Sequence, residues 1–338
     1  MDSTPDLPIV VGIDGSPEAS RALAFAVRQA ERDRCSLWLV NAIHEVVPIG
    51  PMLPLLSVDP LLDVGRQLLA EAQELVEELS DGKVRVRRQV ALGPAAELLA
   101  AAGERARLVV VGHRSASVVE RVFTGSTTFG VVSRAPCPVL SVPSGWDQDD
   151  DRHLVVAAID GSQSSANVLA RGFSAASQRS AQLEIVHCWR LDPFYSYLVD
   201  EWSIQQEWGA QTHEIIDGLV ENAAHARPDV PFHTVLEYAN VAEALVRCSA
   251  GADLLVMGRH GHGGVGSRMI AAVLGSVTRA VLQHARCPVE VVPPGPPVEP
   301  PDGPVATESA EAPTDHGRVP STTAPEPVGG PPSGGRSS

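Results

Sequence analysis

The sequence predicts an α/β protein of two tandem doubly wound domains, each on a five-stranded parallel sheet, followed by a disordered Pro-rich tail. Three observations carry that expectation. The chain repeats itself: PIVVGIDGS, ending at Ser16, returns as LVVAAIDGS, ending at Ser162, and Asp14, Glu97 and Gly112 meet Asp160, Glu243 and Gly258 at one offset of 146. Within each repeat, short Val- and Leu-rich runs alternate with stretches of helical period, the pattern of parallel strands covered on both faces. From Pro293 onward large apolar residues almost vanish, so the tail buries too little surface to offset the entropy of ordering.

In the first repeat the runs at 8–13, 36–43, 84–91, 107–111 and 138–142 have strand length. Ser16 is placed to cap the first helix, with Pro17 at its first position. Beyond them Ala19, Leu23, Ala26, Val27 and Ala30 recur at helical spacing. Leu61, Leu68, Leu75 and Leu79 mark a second helix, matched in the second repeat by Ile204, Trp208, Ile215 and Leu219. The register slips once, because Gly125-Ser126 pairs with Gly275-Ser276 at an offset of 150, which APCPVLSVP and ARCPVEVVP then keep. Four residues have entered the second glycine loop. The expected boundaries are a first domain over 1–143, an acidic linker at 144–153, a second domain over 154–293 and a tail at 294–338. The tail reads as a solubilising extension or a docking segment.

With 338 residues the chain has material for two cores. Its 44% hydrophobic and 20% charged residues are the balance of a globular protein, not of a membrane or wholly disordered one. A net charge of −15 repels a phosphate backbone, so nucleic acid is not an expected partner. The five cysteines are scattered, without C-x-x-C or zinc-type spacing. Reduced, mostly buried thiols and no metal site are expected. The N-terminus MDSTPDLPIVVG lacks a basic n-region followed by an apolar h-region, and no run approaches the roughly 18 apolar residues of a membrane span. No membrane association and a cytoplasmic location are the expectations.

VMGRHGHGGVGSRMIAAVLGSVT, residues 256–278, passes from an apolar strand through a glycine loop into a helix opening at Gly275-Ser276. Residues 109–127 are a version with fewer glycines. A strand, a glycine loop and a helix start can surround an anion with backbone N–H groups and the positive end of a helix dipole; a glycine run can equally be a plain turn. In doubly wound sheets ligands lie beyond the carboxyl ends of the strands. Asp14 and Asp160 stand at such ends, where a carboxylate can accept from ribose hydroxyls or an adenine amine, or bond only its own Asp-Gly turn. Arg114, Arg121, Arg259, His260, His262 and Arg268 in the same loops are either triphosphate contacts or solvated charges.

These residues resemble a tandem member of the universal stress protein family, over about residues 8–293. The resemblance rests on VVGIDGS and VVAAIDGS, on ADLLVMG before the second loop, on the closing Gly-Ser helix starts and on the Cys-Pro-Val final strands. It implies a Rossmann-like fold and ATP as ligand, with Mg²⁺ as its counter-ion. It implies that Ile13 and Asp14, or Ile159 and Asp160, face the adenosine, and that Ala42 or Cys188, after the second strand, offers backbone to the adenine. Phosphates would lie against Val111, Gly112, Gly125, Ser126 and Thr127, or against Met257, Gly258, Gly261, Gly275, Ser276 and Val277. ATP-binding members space the loop as Gly, two residues, Gly, nine residues, Gly, then Ser or Thr. The first half keeps the spacing with Ser115 at the second glycine; the second half keeps Gly258 and Gly261 but has thirteen residues where nine are expected. If that position needs positive φ, Ser115 costs about 1–2 kcal/mol, roughly tenfold in affinity. Four extra loop residues are tolerated thermodynamically, which makes the second half the better site.

The leading expectation is therefore a nucleotide-binding stress regulator, not an enzyme. The alternatives are a protein-interaction module without nucleotide and a slow ATPase or nucleotidyl transferase. Against catalysis, no paired acid and base, nucleophile triad or metal cluster stands at a fixed spacing. The halves are expected to form a pseudo-dimer through their last strands, 138–142 and 288–292, with pairing of whole chains and the protein partner left open.

Overall fold

A computed structural model of the chain describes residues 7–44, 59–113, 126–162, 164–189, 214–260 and 274–295. The first half runs β1 (Ile9–Gly12), α1 (Pro17–Asp33), β2 (Leu37–Ile43), α2 (Asp59–Ser80), β3 (Val86–Leu92), α3 (Ala95–Ala102), β4 (Leu108–His113), α4 (Ser126–Arg134) and β5 (Val139–Pro143). The second runs β6 (Leu154–Ile159), α5 (Ser164–Arg179), β7 (Gln182–Trp189), a helical stretch α6 at 214–224, β8 (Phe232–Tyr238), α7 (Val241–Ser249), β9 (Leu254–Gly258), α8 (Ser276–His284) and β10 (Val289–Val292).

Strand order is β3-β2-β1-β4-β5 in one half and β8-β7-β6-β9-β10 in the other. All pairs within a half are parallel, and β5 meets β10 antiparallel, with Glu290 opposite Leu140. The two five-stranded sheets thus join into one ten-stranded sheet. Order reverses between β1 and β4 and between β6 and β9, the places where such sheets open a crevice. Ile9, Val11, Leu37 and Leu39 face the layer of α1 and α2, while Val10, Trp38, Val40 and Val109 face the layer of α3 and α4. Burial of alternate residues on both faces explains the continuous apolar runs.

Helix α1 starts as its sequence requires, the Ser16 hydroxyl accepting from Ala19 N at 3.2 Å with Pro17 at the first position. It ends at Arg34, which takes the left-handed conformation at φ 52°. The face of α2 differs from the leucine pattern. Leu61 and Leu79 are exposed, Leu68 and Leu75 are half-buried, and the covered stripe is Gly65, Leu69, Ala72, Val76 and Ser80. The same one-residue rotation recurs in α6, where Ile216 and Val220 are buried and Ile215 is 55% exposed. In α2 the covered line includes a close approach: a Cβ on Gly65 would lie 2.6 Å from Asn41 Oδ1. Gly65, Ala72 and Ser80 let the helix come close along this line, Leu69 and Val76 fill the space between them, and the other leucines flank it. Ile204 and Trp208 lie outside the described residues.

The junction of the halves is polar as well as apolar. Arg171 Nε donates to Glu290 Oε1 at 2.6 Å, Gln29 Nε2 to Gln178 Oε1 at 3.2 Å, and Arg179 Nη2 to Gln29 Oε1 at 2.7 Å. Burial lowers the Arg179 guanidinium to about 10, and its charge lies over the Phe25 ring at 5.9 Å. Residues between β5 and β6 dock on α1: Trp146 packs edge-on against Phe25 at 5.5 Å, and Arg28 donates to Gln148 O.

Cys35, Cys137, Cys188 and Cys287 are buried and Cys248 half-buried, and all are free thiols. Burial pushes Cys137 and Cys188 up to about 11 and Cys287 to about 12. Because only the thiolate attacks, alkylation of the folded protein at pH 8 is expected to leave these three unmodified over a time that modifies them fully in guanidinium chloride. Mass spectrometry of the two samples checks it.

Candidate functional site

The C-terminal ends of β1, β2 and β4 lie side by side, as do those of β6, β7 and β9, because the strands are parallel. Beyond them sit the Asp-Gly turns. Asp14 is exposed, and its Oδ1 accepts from Ser16 N at 2.9 Å and Ser16 Oγ at 2.5 Å. Asp160 is half-buried and more firmly placed: Oδ1 accepts from Ser162 N at 3.0 Å and from the hydroxyl of Ser165 at 3.1 Å. Ser165, 1% exposed, also accepts from Gly161 N at 3.1 Å. The first half has Ala19 at that position, 146 residues earlier, and lacks this brace. Gly15 and Gly161 adopt φ of 77° and 79°, which a side chain would strain. Both carboxylates therefore stabilise their own turns, and the second is preorganised.

Ile13 and Ile159 are each 5% exposed, with side chains in the core. Their carbonyls are occupied as well, by Asn41 Nδ2 at 2.8 Å and by His187 Nδ1 at 2.9 Å. Since a carbonyl only accepts, His187 carries its proton on Nδ1. Asn41 and His187 are matching positions that the sequence motifs did not single out; a buried polar residue inside an apolar strand was the available signal. Ala42 and Cys188 fall inside β2 and β7, opposite Ala91 and Glu237, and not after them. Val111 and Met257 are each 4% exposed, with side chains in the second core layer.

The ends of β4 and β9 are tied to the helices that follow. Thr128 Oγ1 donates to Gly112 O at 3.4 Å, and Thr278 Oγ1 to Gly258 O at 3.2 Å and Arg259 O at 3.1 Å. Thr127 is exposed; the buried hydroxyl is its neighbour Thr128 at 3%, paralleled by Thr278 at 2%. Helix α8 begins at Ser276 with Gly275 as its cap residue and no side-chain capping bond. Its first amides are thus not claimed by a cap side chain, as an anion at a helix N-terminus needs. Ser276 is exposed and Val277 half-buried there. A Cβ on Gly275 would sit 3.3 Å from Arg259 O, and one on Gly258 3.9 Å from Ser164 Cβ, so both loop ends and the start of α5 converge. Gly125 and Gly261 lie outside the described residues, as do Ser115, Arg114, Arg121, His262 and Arg268. A Thr278→Val substitution keeps the shape and removes the tie; a loss of about 1 kcal/mol in urea unfolding is expected.

Arg259 departs from both sequence readings. It is 8% exposed, neither solvated nor a triphosphate contact, and donates to Ser133 O at 3.2 Å and to Ala135 O across the junction. Its counterpart His113 is 3% exposed against the Phe129 ring, and burial lowers its pKa, with His284 adding to the effect. Among the described residues no group of three His, Cys, Asp or Glu side chains is disposed to hold a metal ion, and no helix is long and apolar enough to cross a membrane.

The sequence pattern of the universal stress protein family matches residues 7–143 and 152–293. A universal stress protein of Mycobacterium tuberculosis is 32% identical over 290 residues, covering 84% of this chain and 96% of the relative. One from Mycolicibacterium smegmatis is 32% identical over 302 residues, covering 87% and 99%. The crystal structure of a universal stress protein from Archaeoglobus fulgidus aligns with a TM-score of 0.60 at 18% identity, over 86% of this chain and 99% of that one; that likeness speaks to the fold.

Proposed function

Because this chain belongs to the universal stress protein family, we propose that it is a cytoplasmic ATP-binding regulator of a stress response, with its stronger site in the second half and a weaker one in the first. The carrying observation is the convergence at the β6/β9 crevice of the braced Asp160, Gly258 and the α8 start, which has no side-chain cap. Asp160 would accept from the ribose, and the backbone of Gly258, Gly261, Gly275, Ser276 and Val277 would meet the phosphates, whose charge suits a helix N-terminus. Mg²⁺ would arrive with the nucleotide. In the first half Asp14, Gly112, Gly125, Ser126 and Thr127 would act alike, with an exposed Asp14 and Ser115 weakening the site. The domains are taken as 1–143 and 154–293 with 144–153 between them, the family match supporting the division. A protein partner would read the occupied state.

Calorimetric titration of nucleotide-free protein with ATP and Mg²⁺ tests this. Binding is expected, and Asp160→Ala should weaken the tighter site at least tenfold, the loss of a charge-assisted acceptor. Absence of both heat and thermal shift overturns the reading in favour of an interaction module. That alternative draws on one observation: Arg259, a cation of the loop, is spent on the junction.

A further inference from the structure

We propose that Arg259 couples the two nucleotide sites, so that ATP held in the second half tightens binding in the first; this rests on the reading that both halves take ATP. Arg259 follows Gly258 directly. Its N–H donates to Val292 O at 3.0 Å and its carbonyl accepts from Thr278 at 3.1 Å, so its main chain is held between β10 and the first turn of α8. Its side chain leaves that half altogether. Nη1 and Nη2 donate to Ser133 O and Ala135 O, at the C-terminal end of α4. The opposite end of α4 begins at Ser126 and Thr127, the residues assigned to the first half's phosphates. One buried side chain thus connects the strand end of one site to the helix of the other.

The chemistry makes the link stiff. Helix C-terminal carbonyls carry partial negative charge and suit a guanidinium. Among the described residues Arg259 Nε has no hydrogen-bond partner, so the two carbonyl bonds supply the compensation for its burial, and letting go would leave a bare buried cation. Helix α4 is nine residues long, and a single helix of that length moves as one body. Nucleotide at Gly258 and the α8 start would immobilise Arg259, and Arg259 would hold α4 in its binding position. The matching residue of the first half, His113, packs on Phe129 at 6.0 Å within its own half, and Arg279 of α8 lies over the same ring at 5.3 Å, a second contact of α8 with α4. Arg259 is therefore a positioning residue for the first site, and by linkage the coupling it carries is felt equally at both.

The test uses the full chain and ATP with Mg²⁺, titrated into wild type, Asp160→Ala, Arg259→Met and the double variant. Two sites are expected in wild type. Asp160→Ala should weaken the second-half site at least tenfold and, at ATP concentrations that then leave it empty, weaken the first by about fivefold or more. Arg259→Met should keep two sites with the first already weakened, and the double variant should weaken it no further. Equal first-half affinity in wild type and Asp160→Ala overturns the coupling, as does a single site per chain. If Arg259→Met fails to fold, wild type alone decides: ATP filling only the tighter site should slow amide exchange over residues 126–134, and unchanged exchange overturns the proposal. No ATP binding at all overturns the nucleotide reading together with this one, whereas independent sites overturn only the coupling.

Discussion

Replacing Glu290 with alanine is expected to be among the most destabilising single changes in this protein. Glu290 is 2% exposed on β10, at the seam where the two sheets join, and its carboxylate receives Arg171 Nε at 2.6 Å. Glu290 raises the pKa of Arg171 by its charge. Removing one partner of a buried pair leaves the other charge uncompensated, which costs about 3–5 kcal/mol. Because the Arg171 side chain keeps 30% of its surface exposed, the lower end, about 3 kcal/mol, is expected. The repeat supplies the control. At the matching positions of the first half stand Phe25 and Leu140, so the double variant Arg171→Phe, Glu290→Leu replaces the pair with the residues its twin already uses. Apolar replacements of buried pairs are often neutral or stabilising, and the double variant should recover most of the loss. The midpoint of guanidinium unfolding reads both, and a Glu290→Ala midpoint equal to wild type would show that the pair contributes nothing at the seam.

Gly112→Ala should cost about 3 kcal/mol or more, while Gly258→Ala should change stability by less than about 1 kcal/mol. The two glycines are equivalent in the repeat, yet they are kept for different reasons. Neither is among the glycines with positive φ, so conformational freedom is not the issue. A Cβ on Gly112 would fall 2.4 Å from Glu18 O and 2.5 Å from Glu18 C, backbone atoms that move only if α1 moves. At Gly258 the nearest atom, His260 O, stands at 3.4 Å. Gly258→Ala is therefore the variant that reports on nucleotide binding without disturbing the fold. Urea unfolding of both proteins checks the contrast, and equal losses would show that the close approach of α1 to β4 relaxes cheaply.

Much of the architecture was legible beforehand because it is local or periodic. Runs of Val and Leu have one low-energy place in a covered parallel sheet; Ser16-Pro17 can only open a helix; and a repeat of 146 residues requires two similar bodies. The place of the candidate site residues was legible as far as it depends on such elements: Asp14, Asp160, Gly112, Gly258 and the start of α8 lie at or beyond the carboxyl ends of the strands where the order reverses. The tertiary structure decided the rest, through contacts between residues far apart in the chain. The covered line of α2 includes Gly65, where β2 comes within reach of the helix backbone. Asn41 and His187 acquired partners only when the first two strands of each half lay together. Arg259 found its partners only across the β5–β10 seam, and Glu290 found Arg171 only when β10 came to lie against α5, 119 residues away in the chain. Propensity and period act over one or two helical turns, whereas the reach of a buried arginine is settled by which carbonyls the completed fold leaves within a hydrogen bond of it.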